Sequence, residues 1–140
     1  MTDTDLQNEL INSSLEYATQ MNTLELRFSK LDDENPGTDY FPEYKEKYLG
    51  IFNKYCTNKK RSYGGQGDSY GEPAEYDGIE DSIEQKTELK TKSRAEVYFK
   101  TKNAFDAEYL FVLLKKSGEW KIDSSKYKWY KQEKWDTLHL

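Results

Sequence analysis

The chain has 140 residues, 34% of them charged, and a formal net charge of -5 at pH 7; nothing in that length suggests more than one domain, 1–140. Leu, Ile, Val and Phe supply only 26 residues, which with this charge would point to disorder. The 12 Tyr and three Trp reverse that reading, because each buried aromatic removes roughly 150–250 Å² from water, and they exclude a chain without a packed core.

The first residues, Met1 to Gln7, are polar and acidic, unlike the basic start and apolar stretch of a secretory signal. From Asp3 to Leu31, apolar residues recur at Leu6, Leu10, Tyr17, Met21, Leu24, Phe28 and Leu31, the spacing of one helical face. Thr4 or Asp3 is expected to cap this helix, and the run from Asp32 through Pro36 to Gly37 to end it. A second helix follows, with Phe41, Tyr44, Tyr48, Ile51 or Phe52, and Tyr55 on one face and Pro42 in its first turn. Lys59, Lys60 and Arg61 at its end complement the helix dipole. The stripe Tyr40, Tyr44, Tyr48 and Tyr55 is read as core rather than as the lining of a ligand cavity.

Between Ser62 and Gly78 the density of glycine, with Pro73, predicts a loop or irregular hairpin. Its tyrosines, Tyr63, Tyr70 and Tyr76, are interface candidates, since Tyr buries much area at little entropic cost. From Ser62 to Gln85 there are seven acids and no Lys, Arg or His. Such a run either steers a basic partner or solvates a loop. The partner-binding candidates are therefore Asp68, Tyr70, Glu72, Glu75, Tyr76, Asp77, Glu80, Asp81 and Glu84.

After Ser82 the pattern changes. A strand is expected across Glu84 to Thr91, and another where Ala95, Val97 and Phe99 alternate with Glu96, Tyr98 and Lys100. Glu108 to Lys115 is apolar on both faces and predicts a central strand; its apolar run, Tyr109 to Leu114, falls far short of the roughly 18–20 residues needed to cross a bilayer. Lys116-Ser117-Gly118 predicts a turn into a strand from Glu119 to Ser124, with Trp120 and Ile122 on one face, followed by a tail bearing Tyr127, Trp129 and Trp135. Two helices before an antiparallel meander give an α+β class, with the helices packed on one face of a curved sheet.

This order of elements and the segment Gly118-Glu119-Trp120-Lys121-Ile122-Asp123 resemble the nuclear transport factor 2-like superfamily, which implies a cone formed by helices in a curved sheet. More narrowly, Tyr76-Asp77-Gly78-Ile79, the charged strands from Ile83 to Lys102, the apolar strand and Lys134-Trp135 are similar to immunity proteins of bacterial polymorphic toxin systems. The superfamily usually carries a third helix, and no segment here is assigned to it. The resemblance implies a protein that binds a cognate toxin domain and blocks it, and it carries over no toxin-contacting residue.

The residues themselves offer no catalytic set. His139, the only histidine, is penultimate, and a terminal side chain does not readily hold a catalytic geometry. Asp106 and Asp123 beside strands are read as turn or strand-end residues. Cys56 is read as a small buried side chain on the second helix; with one Cys and one His there is no zinc set, and no metal or other cofactor is expected. Lys115 to Lys134 holds seven lysines against three acids, so the charge is dipolar, unlike the net basic domain of a simple nucleic-acid binder. The expectation is a cytoplasmic, non-enzymatic toxin-binding protein, with no nucleic-acid or membrane partner. The alternatives are a small-molecule binder or isomerase- or dehydratase-type enzyme using the cone, or a general interaction module.

Overall fold

The computed structural model describes residues 2–58, 74–138 and 140. Helix α1 (Asp3–Glu34) is capped by Thr2, not by Thr4 or Asp3. The Thr2 hydroxyl accepts the Asp5 N–H at 3.1 Å while the Asp5 carboxylate accepts the Thr2 N–H at 3.5 Å, a reciprocal capping box that satisfies two otherwise orphaned donors. Helix α2 (Phe41–Tyr55) carries Pro42 in its first turn, as expected, and Asp39 accepts the Phe41 N–H at 3.0 Å just before it. Lys59, Lys60 and Arg61 lie outside the described residues. Between α2 and the sheet, the described residues hold a single 3-10 turn, Ile79–Asp81, and no third α-helix. Among the described residues no helix is long and apolar enough to cross a membrane.

Strands β1 (Glu84–Thr91), β2 (Arg94–Lys100), β3 (Glu108–Lys116), β4 (Glu119–Lys128) and β5 (Asp136–Leu138) pair antiparallel in chain order. β3 is central and buried on both faces from Tyr109 to Leu113, whereas β2 buries only Ala95, Val97 and Phe99. β3 turns into β4 through Ser117 and Gly118, at φ 52° and 80°; positive φ at both central positions gives the twist that a two-residue hairpin needs.

β4 runs four residues beyond the expected end at Ser124 and contains a bulge. Val112 faces Ser124 but Leu113 faces Ile122, so Asp123 is the extra residue, and beyond it Ser125 turns into the core in place of Ser124. The chain leaving α2 braces this point. Cys56 bridges Ile122 in parallel, the Thr57 N–H donates to the Ile122 carbonyl at 2.8 Å, and the Thr57 hydroxyl donates to Asp123 Oδ1 at 3.0 Å. Asp123 is thus a buried structural acceptor, and Cys56 is the buried C-cap of α2 rather than one of its helical residues.

The space between α1 and the sheet is filled by rings. Tyr17 meets Tyr55, Tyr76 and Phe111 edge-on, with centroids 6.0–6.4 Å apart; Tyr76 continues to Tyr109 at 5.7 Å and Phe99 to Phe111 at 5.8 Å. Tyr44, Tyr48, Phe52 and Tyr55 on α2 are buried, as the stripe predicts, and Phe28 of α1 packs on Tyr44 at 5.6 Å. Edge-to-face contacts of this kind contribute about 0.5–1.5 kcal/mol each beyond area burial. They explain how a chain poor in aliphatics builds a core.

Candidate functional site

An up-and-down meander places alternate connections at the same end of a sheet. Here the β2–β3 loop (101–107), the β4–β5 connection (129–135) and the segment leading into β1 (74–83) share one end. The last of these carries the described part of the acidic run.

Two asparagines hold that segment. Asn22, buried on α1, donates to the Tyr76 carbonyl at 2.8 Å and to Glu80 Oε1 at 2.6 Å, and accepts the Tyr76 N–H at 2.9 Å. From the other side Asn103 donates to the Asp77 carbonyl at 2.9 Å while its oxygen accepts the N–H groups of Phe105 and Ala107 at 3.1 and 3.0 Å. Tyr109 donates to the same Asp77 carbonyl at 2.8 Å. Gly78 sits between them at φ 84°, and a Cβ there would stand 2.9 Å from Asn103 Cβ, so the turn requires glycine on both conformational and steric grounds. The acidic segment is clamped to helix and sheet.

Asp68, Tyr70 and Glu72 lie outside the described residues, as does Tyr63. Tyr76 is 0% exposed, its hydroxyl is bonded to Ser125 Oγ at 3.0 Å, and its ring is packed on Tyr17 and Phe111; this corrects its reading as an interface tyrosine. Glu75 is half-buried, and its N–H donates to Glu25 Oε2 at 2.6 Å. Burial pushes the Glu25 carboxyl up to about 7 against the pull of that bond, and burial together with the nearby Glu25 raises Glu75 well above the usual carboxylate range. Asp77 is half-buried, whereas Glu80, Asp81 and Glu84 are exposed and form the solvent side of the segment. The described part of the acidic run therefore divides: Glu75 and Tyr76 anchor it, and Asp77, Glu80, Asp81 and Glu84 form its more exposed side.

Asp106 is exposed at φ 48° in the β2–β3 turn, as its turn reading anticipates, and His139 lies outside the described residues. Several residues at this end were not legible as site residues. Glu25, Asn22 and Asn103 act through partners more than 20 residues away in sequence. The one available signal was that Ser14, Ala18 and Asn22 form a small and polar row at fourfold spacing beside the apolar stripe of α1. Phe105 and Trp129, exposed and stacked on each other, carry no local pattern that pairs them.

Residues 10–138 match the family model described as NTF2 fold immunity protein. The chain is also 30% identical, over 127 residues, to a protein of Dickeya dadantii (strain 3937) named immunity protein RhsIA, covering 89% of this chain and 91% of that protein. No solved structure matches the chain. Helices preceding a sequential antiparallel sheet agree with that family's fold, and both matches extend over nearly the whole element order. The chain belongs to the NTF2 fold immunity protein family.

Proposed function

We propose that this immunity protein acts in the cytoplasm by binding a cognate toxin domain and obstructing it, with no substrate turned over. The observation that carries this reading, beyond family membership, is the clamped acidic segment. Asn22 and Asn103 fix its backbone before any partner arrives, so its exposed charges meet a partner without the entropic cost of ordering a loop. Asp77, Glu80, Asp81 and Glu84 then attract a basic face of the toxin and orient it during encounter. The filled interior gives a small-molecule reading no support: Tyr17, Tyr76, Phe99 and Phe111 occupy the described space that a ligand would take.

The test uses the cognate toxin domain, identified by its co-purification with this chain. Titration of this chain against it is expected to give a stoichiometric complex with loss of toxicity and no change in toxin mass. In the variant Asp81→Lys/Glu84→Lys, outside the Asn22 and Asn103 clamps, association at low salt is expected to slow about tenfold and to lose much of its salt dependence. Unchanged rates would remove the acidic segment from the contact. Protection without complex formation would remove obstruction altogether.

A further inference from the structure

Next to the acidic segment, the same end of the sheet carries aromatic side chains that the core does not use. Phe105 from the β2–β3 loop and Trp129 from the end of β4 stack at 4.7 Å with planes 18° apart, yet they are 39% and 46% exposed, and Tyr130 is 66% exposed. Both loops are pinned. Asn103 holds the Phe105 N–H, the Phe105 carbonyl accepts the Tyr130 N–H at 2.8 Å, and Gln132 accepts the Trp129 N–H at 3.1 Å while donating to Asp136 at 2.6 Å. Large aromatics kept in water on rigid loops are the groups that dominate protein interfaces, because they bury area without losing much freedom.

The charge around them indicates what covers them. From 126 to 136 there are four lysines and two acids, and one of the acids, Asp136, is engaged by Gln132. Lys131 is exposed with its ammonium 5.2 Å from the Tyr130 ring centroid, and Lys128 lies 4.8 Å from that of Trp135. A surface of apolar rings with a cationic rim fits a protein face that offers an apolar side chain among carboxylates. It does not fit nucleic acid, since the whole chain is acidic at -5 and the exposed acids of the clamped segment stand at the same end.

We infer that the Phe105–Trp129–Tyr130 shelf is a second contact for the toxin domain, taking an apolar side chain flanked by carboxylates while the acidic segment beside it meets basic groups. This rests on the proposed toxin-binding function and places its tightest contact away from the acidic run. Asn103 joins the two, bonding Asp77 on one side and Phe105 on the other.

The cognate toxin domain identified by co-purification is the probe, measured by calorimetry and stopped-flow against wild type, Trp129→Ala, Tyr130→Ala and Lys131→Glu/Lys134→Glu, each checked for an unchanged circular dichroism spectrum. Trp129→Ala is expected to weaken affinity by about 30-fold or more, chiefly through faster dissociation, and Tyr130→Ala, which the fold does not need, by at least about fivefold. The lysine reversal is expected to slow association at low salt. Wild-type binding with all three variants within about threefold of it would overturn the shelf and leave the proposed function standing. Absence of wild-type binding would overturn both. A dimer of this chain, or adsorption to phosphatidylserine vesicles, abolished by Trp129→Ala while toxin affinity is unchanged would assign the shelf to another occupant and overturn the inference.

Discussion

Asn22 meets Tyr76 as a neighbouring strand would, its carboxamide nitrogen donating to the Tyr76 carbonyl at 2.8 Å and its oxygen accepting the Tyr76 N–H at 2.9 Å. The Tyr76 carbonyl also receives the Ile79 N–H at 3.1 Å, so removing Asn22 falls hardest on the buried Tyr76 N–H. Asn22→Ala is expected to cost about 1–3 kcal/mol in urea unfolding, with toxin association weakened as the acidic segment loosens. Asn22→Asp is expected to be at least as damaging at pH 8, where its carboxylate faces Glu80 and the Tyr76 carbonyl, and milder at pH 4.

Stability is expected to fall as pH rises from about 4.5 to about 7, because Glu25 keeps its proton in the folded chain over that window and releases it when the chain unfolds. A raised carboxyl favours folding below its unfolded value, and the advantage is lost as pH climbs through the folded one. Glu75, raised by burial and by Glu25, acts in the same direction. Glu25→Gln keeps an oxygen for the Glu75 N–H and removes the charge. It should flatten this part of the pH profile and raise stability at pH 8 by about 1–2 kcal/mol, allowing for partial solvent screening.

Two core tyrosines should respond differently to loss of a hydroxyl. The Tyr17 hydroxyl makes no hydrogen bond of ordinary geometry among the described residues, and its interaction with the Tyr48 hydroxyl is a weak one, so Tyr17→Phe is expected to change stability by no more than about 1 kcal/mol. Tyr76→Phe strands the fully buried Ser125 hydroxyl and is expected to cost about 1–3 kcal/mol. Thermal unfolding of both variants measures the contrast.

Gly78 and Gly118 share a left-handed backbone, at φ 84° and 80°, but not a neighbourhood. Gly118→Ala meets nothing within 4 Å and should cost only the conformational penalty, about 1–2 kcal/mol. Gly78→Ala adds a 2.9 Å approach to Asn103 Cβ and should cost more, with toxin binding reduced alongside stability. Equal effects in the two variants would show that the Gly78–Asn103 contact carries no weight.

The helices and most strand positions were legible because burial imposes a period: Leu10, Tyr17, Met21, Leu24 and Phe28 on α1, and Ala95, Val97 and Phe99 on β2, lie where the pattern puts them. Alternation failed at Asp123, where Thr57, 66 residues earlier, secures the bulge. No local pattern encodes such a distant partner. The acidic run was likewise legible as charge, but which of its members faces water depends on Asn22, 54 residues before Tyr76. Among glycines and acids, Tyr76 looked like a surface residue until the pocket formed by Tyr17, Phe111 and Ser125 was assembled around it. The Phe105–Trp129 stack needs two loops brought together by strand pairing, and neither loop alone signals it.

The order of elements also sets a timetable for synthesis. Phe111 follows Tyr17 by 94 residues, so although Tyr55 and Tyr44 of α2 reach α1 earlier, a ribosome adding about 5–20 residues per second leaves the sheet side of Tyr17 without Phe111 for about 5–20 s. The clamp on Asp77 needs Asn103 and Tyr109, and Trp129 comes later still. Under the proposed toxin-binding function, the contact surface is therefore complete only after most of the chain has been made.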